Sequence, residues 1–132
     1  MSMHPVIHFQ SKLFDTSLEP VNPINPIRGS SLLDWLRTRV PAELAMPSPD
    51  TEDWGWYSQV NWHGRTYLVG SCAHESPDGN HEWVLQIDKH RNFKERLFGQ
   101  DKMAADDPCF AFFKDLITQE PAFTDVSVEH GP

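Results

Sequence analysis

At 132 residues the chain has the length of one ordinary domain, and its 19 acidic and 11 basic side chains give a formal net charge of −8. That balance argues against the basic face that nucleic acid or an anionic membrane surface demands, and it permits a basic protein partner. Hydrophobic residues make up only 39% of the chain, but five Trp and eight Phe offset the shortage, because each aromatic buries about 150–250 Å².

Two cysteines, Cys72 and Cys109, form no Cys-x-x-Cys motif and are too few for a disulfide framework, so both read as reduced thiols. The N-terminal run MSMHPVIHFQSK lacks the basic start and apolar stretch of a secretory signal, and no run reaches the ~20 apolar residues of a membrane span. The expectation is one cytoplasmic domain over residues 1–132.

Residues 5–10 (PVIHFQ) are rich in β-formers and predict a first strand, with Pro5 at its start. Residues 15–28 carry Pro20, Pro23 and Pro26, a spacing that suits an extended segment and forbids a helix. The first helix follows: Ser31 and Asp34 have capping-box spacing, Leu32, Leu33, Leu36 and Val40 share one face with Trp35 on its margin, and Pro41 stops it. Residues 41–53 then read as a Pro- and acid-rich loop.

Strict period-two alternation begins at Trp54, with Trp54, Trp56, Ser58, Val60 and Trp62 on one side. His63-Gly64 resembles the Asn-Gly type I′ turn and pairs Trp62 with Arg65, Val60 with Tyr67 and Ser58 with Val69. The cluster Ser76–Asn80 makes the next turn, and an odd loop is required to keep Trp83, Leu85 and Ile87 on the face of Val69. The result is a three-stranded meander over 54–89. Its reverse face shows Tyr57, Gln59, Asn61, Leu68, Cys72, His74 and Gln86.

Residues 91–103 fit a short strand or a helical turn equally. Asp107 as N-cap and Pro108 at the first helical position open a second long helix, whose predicted buried face is Cys109, Phe112, Phe113, Leu116 and Ile117. Phe123, Val126 and Val128 suggest a last strand before a polar tail at 129–132. The predicted class is α+β: a two-layer sandwich of an antiparallel sheet, the central meander plus terminal strands, with two helices on one face.

Chemistry is sparse. There is no P-loop, dinucleotide fingerprint, HExxH or GxSxG, so neither a catalytic residue nor a cofactor is expected. Cys72, His74 and His81 fall near one hairpin tip and are suitable ligand types for a metal, although their spacing matches no standard zinc pattern and surface histidines explain them more simply. Most of the tryptophans read as core, with Trp35 and Trp54 partly exposed. Glu52, Asp53, Trp54, Tyr57 and Trp35 are the candidate binding residues.

The run Glu52-Asp53-Trp54-Gly55-Trp56-Tyr57, preceded by the helix motif Leu32-Leu33-Asp34-Trp35-Leu36, resembles an EDWGW motif of small uncharacterised bacterial proteins. In general character these are similar to toxin-immunity α+β domains, and the resemblance carries no site residues. The function expected is non-enzymatic binding of a protein partner, as an immunity-like or adaptor domain. The alternatives are a small-molecule or metal site near Cys72, His74 and Tyr57, and self-association through a sheet edge.

Overall fold

The computed structural model describes residues 5–100 and 102–130, and it is an α+β fold around an open six-stranded antiparallel sheet. In chain order the elements are β1 (Pro5–Ser11), α1 (Ser30–Arg37), β2 (Asp50–Glu52), β3 (Gly55–Trp62), β4 (Arg65–His74), β5 (His81–Lys89), α2 (Phe93–Leu97), α3 (Pro108–Gln119) and β6 (Thr124–His130). The strands run β2-β3-β4-β5-β1-β6 across the sheet. The first strand therefore lies between the last two hairpin strands and the C-terminal one.

The β3–β4 register is Trp62↔Arg65, Val60↔Tyr67 and Ser58↔Val69, as the alternation predicts. His63 and Gly64 both take positive φ (49° and 87°), the conformation a type I′ turn requires and one that a β-branched residue would resist. Between β4 and β5 the pairs Ala73↔Trp83, Ser71↔Leu85 and Val69↔Ile87 keep the apolar set on one side, as an odd loop dictates.

That side forms one hydrophobic core. Ile7 and Phe9 of β1, Val60, Tyr67 and Val69, and Trp83, Leu85 and Ile87 pack with Leu32, Leu33 and Leu36 of α1 and with Cys109, Phe110, Phe113 and Ile117 of α3. The α3 stripe differs from the expected one. Phe110 is fully buried, while Phe112 and Leu116 are half-buried, and Phe112 meets Trp62 at 5.4 Å between ring centroids. Asp107 caps α3 as predicted, accepting from the Cys109 amide at 2.8 Å.

Three local expectations are corrected and one open alternative is decided. The 41–53 loop contains a 3-10 turn (Ala42–Leu44) and the short edge strand β2, which pairs Thr51 with Trp56 and Glu52 with Gly55. Within 91–103, left open between strand and helical turn, Phe93–Leu97 form the helical turn α2, capped reciprocally by Asn92 and Glu95. The expected polar tail is shorter, because Glu129 and His130 belong to β6, and residues 131–132 lie outside the described residues. The Pro-rich 15–28 segment is interrupted by a 3-10 turn (Thr16–Leu18).

The same segment also caps α1. Gly29 holds the N-cap position and has no side chain to cap with, and Asp34 faces Arg37 at 3.4 Å instead of closing a box with Ser31. The buried carboxylate of Glu19 takes over. Its Oε1 accepts from the Gly29 amide at 2.8 Å, and its Oε2 accepts from the Ser31 amide at 3.0 Å and from the Ser31 hydroxyl. Two of the helix's orphan amide donors are thus satisfied from ten and twelve residues upstream.

Candidate functional site

Two surface regions follow from this arrangement. The first is built on the β2–β3 hairpin. Asp53 and Trp54 form its two-residue turn, so Trp54 does not begin the inward stripe that period-two alternation assigns to it. Its indole folds onto the opposite face, over Gly70, where a Cβ would come within 2.6 Å of Cη2 and 2.8 Å of Cζ3. Gly70 pairs with Tyr57 and Gln86, so Trp54 and Tyr57 share the outer face of the sheet, both half-buried.

The Pro-rich segment is pinned to this turn. The Asn22 side-chain amide donates to the carbonyls of Glu52 and Gly55, both at 2.9 Å, and its oxygen accepts from the amides of Ile24 and Asn25 at 2.9 and 3.2 Å. The Asn25 amide group donates to the Asp53 carbonyl at 2.8 Å, and the Trp56 indole N–H donates to the Ile27 carbonyl at 3.0 Å. Beyond β3, Arg28 bridges to Ala73 of β4, filling the place next to β4 that β3 leaves vacant. Held on this frame, Val21 is 73% and Ile24 58% exposed, beside the exposed carboxylates of Glu52 and Asp53.

Trp35 lies apart from that hairpin group. It packs against Phe123 at 5.0 Å, and the Arg39 guanidinium stacks 3.8 Å above its ring. Four of the five candidate binding residues are therefore brought together, and Trp35 is not.

Cys72, His74 and His81 are not brought together. Cys72 and His74 point to the outer face, whereas His81 points into the core side opposite them. The strand parity decides this: His74 pairs with Glu82, so its neighbour His81 takes the other face. The His81 ring is also engaged. Its Nδ1 accepts from the Ser76 amide at 2.9 Å, which leaves the neutral ring's proton on Nε2, 3.4 Å from the Thr16 hydroxyl. Thr16 in turn donates to Glu75 at 3.3 Å, and Glu75 pairs with Arg28 at 3.4 Å. No group of three His, Cys, Asp or Glu side chains among the described residues is placed to hold a metal ion.

Both thiols are weak acids here. Burial first, and then the charge of Glu82, raises the Cys72 pKa. Burial and Asp107 push Cys109 up to about 12. Neither is the activated thiolate of a cysteine nucleophile. Tyr67 is also held protonated, by burial and by donating to Asp107 at 2.9 Å, and Lys89 reaches the same carboxylate at 3.1 Å. Asp107 thus ties β4, β5 and α3 together at one buried point.

The second region adjoins the first on the outer face, where Gln59 and Leu68 follow Tyr57 and Gly70 along β3 and β4. A cleft of about 730 Å³ opens between the sheet and residues 90–96, 102 and 103, over Gln59, Thr66 and Leu68. Arg91, Arg96 and Lys102 stand around it, with Asp88 as the carboxylate among the described lining residues. Sequence reasoning missed this cleft, because its cations come from a segment whose local pattern did not settle on strand or helix.

No helix among the described residues is long and apolar enough to cross a membrane. No protein-family model, curated protein or solved structure matches the chain.

Proposed function

We propose that the chain is a single two-layer α+β domain of the cytoplasm that acts by binding a protein partner, as an immunity-like or adaptor protein, and not by catalysis. Its contact surface is the β2–β3 hairpin with the Pro-rich segment pinned beside it. The observation that carries this reading is the exposure of Val21 and Ile24 on a loop held by the Asn22 and Asn25 hydrogen bonds. Burying an aliphatic side chain of this size yields about 1.5–3 kcal/mol. A loop already tied to the sheet loses little further freedom on docking. Glu52, Asp53 and the half-exposed Trp54 border the apolar pair, so a partner with an apolar centre and a basic rim fits it. The unpaired, high-pKa thiols suit a reducing compartment.

A photo-crosslinking amino acid at position 21 or 24, in the native cell, tests the reading. The expectation is one discrete adduct with another protein, absent when the same group replaces Lys114 on the exposed face of α3 and lost in the E52K/D53K variant. Equal labelling from all three positions would argue against a specific surface. An adduct of the chain with itself would assign the surface to self-association instead.

A further inference from the structure

We infer that the cleft between the outer sheet face and residues 90–96, 102 and 103 is a binding site for a small organic polyanion, a phosphorylated or polycarboxylated molecule of about nucleotide size. The chain as a whole is strongly acidic, with 19 carboxylate side chains against 11 Lys and Arg. Around this one cleft the balance reverses. Among the described residues Arg91, Arg96 and Lys102 border it together with Lys89 and His90, against the carboxylate of Asp88. A local sign reversal of this kind concentrates field lines in a concavity and draws an anion into it.

The walls are built. Glu95, the acidic residue of α2, is held in a 2.6 Å ion pair with Arg65 and closes the capping box with Asn92, which fixes the turn that carries Arg96. Arg91 is oriented by its Nη1 donating to the Gln100 carbonyl at 3.0 Å, which leaves the rest of its planar fork for a ligand. Lys89 is committed to Asp107, so Arg91, Arg96 and Lys102 are the cations assigned to the anion. The floor differs in character: Leu68 and Gln59 are cross-strand neighbours on the outer face and offer a flat, uncharged surface for the remainder of the molecule. About 730 Å³ lies within the roughly 300–1,000 Å³ typical of small-ligand sites.

Isothermal titration of the full chain at low salt with ATP, inorganic pyrophosphate, citrate and an acidic decapeptide tests this. Saturable binding of at least one small anion is expected, weakening by about tenfold or more in R96E/K102E, whose side chains are exposed, and weakening again as salt rises. ATP binding tighter than pyrophosphate places its base over the Leu68 floor, and L68E then removes that difference. Failure of all three small anions at millimolar concentration overturns the inference, as does binding unchanged in R96E/K102E. Binding of the decapeptide alone also overturns it, in favour of an acidic protein segment. The hairpin variant E52K/D53K retains anion binding, which separates this site from the proposed partner surface.

Discussion

Replacing Glu19 tests whether a residue outside α1 sets the helix's stability. In Glu19→Ala the Gly29 and Ser31 amides and the Ser31 hydroxyl lose their acceptor together. The Gly29 hydrogen bond is buried, so water does not readily replace it. A helix N-cap is worth about 0.5–2 kcal/mol, and a hydrogen bond to a charged acceptor about 1.5–3 kcal/mol. Because these contributions overlap, the combined loss is about 2–4 kcal/mol. At about 3–5 °C per kcal/mol for a chain of this length, the melting temperature falls by roughly 6–20 °C. Glu19→Gln discriminates further. Each carboxylate oxygen serves a different amide, so either orientation of the new side-chain amide turns an NH₂ toward a donor. Gln is therefore expected to cost nearly as much as Ala, whereas Ser31→Ala, which removes only the hydroxyl, costs less than about 1 kcal/mol. Urea titration followed by circular dichroism reads the midpoint, with the slope unchanged. A Glu19→Gln protein as stable as the parent would refute the capping role.

Three further outcomes follow from the packing. Gly70→Ala places a methyl within 2.6 Å of the Trp54 ring and 2.9 Å of Gln86 Cγ, so the indole must shift; a red-shifted Trp emission and a loss of about 1–2 kcal/mol are expected, and most of the loss should disappear in a Trp54→Ala background, where only the flexible Gln86 side chain has to give. Native protein should expose Cys72 to a thiol reagent slowly and Cys109 only after unfolding, since Cys109 is fully buried and Cys72 half-buried; rapid labelling of two thiols would contradict the core assignment. Alkaline stability tests the raised pKa values of Cys109 and Tyr67. Between a group's unfolded and folded pKa values the native state holds one more proton, so stability is full below the unfolded pKa and falls as pH rises, by about 1.4 kcal/mol per pH unit and group. The decline should begin near pH 9 with Cys109 and steepen above pH 10 with Tyr67. Cys109→Ala should shrink the first part, leaving the share of Cys72, whose pKa is also raised, and Tyr67→Phe should remove the second.

The parts of the fold legible in the sequence are those fixed over short range. Period two over 56–62 and 65–73 with His63-Gly64 between them determines which side chains share a face and which residues pair, since slipping the register by one would turn Val60, Tyr67 and Val69 into water. Asp107-Pro108 marks the start of α3 because a cap acts within three residues of itself. Of the candidate site, the acidic hairpin residues and the exposed tryptophans could be named, but their grouping could not. The position of β1 between β5 and β6, the capping of α1 by Glu19, the pinning of the Pro-rich segment by Asn22 and the inward turn of His81 were decided by the tertiary structure. Each is a contact between residues far apart in the chain or across strands, and local periodicity carries no information about such partners. The Trp54 reversal shows the limit most directly. Its spacing fits the inward stripe, but the two-residue turn at Asp53-Trp54 ends the strand one residue short of it, and the bare backbone of Gly70 on the other face takes the ring.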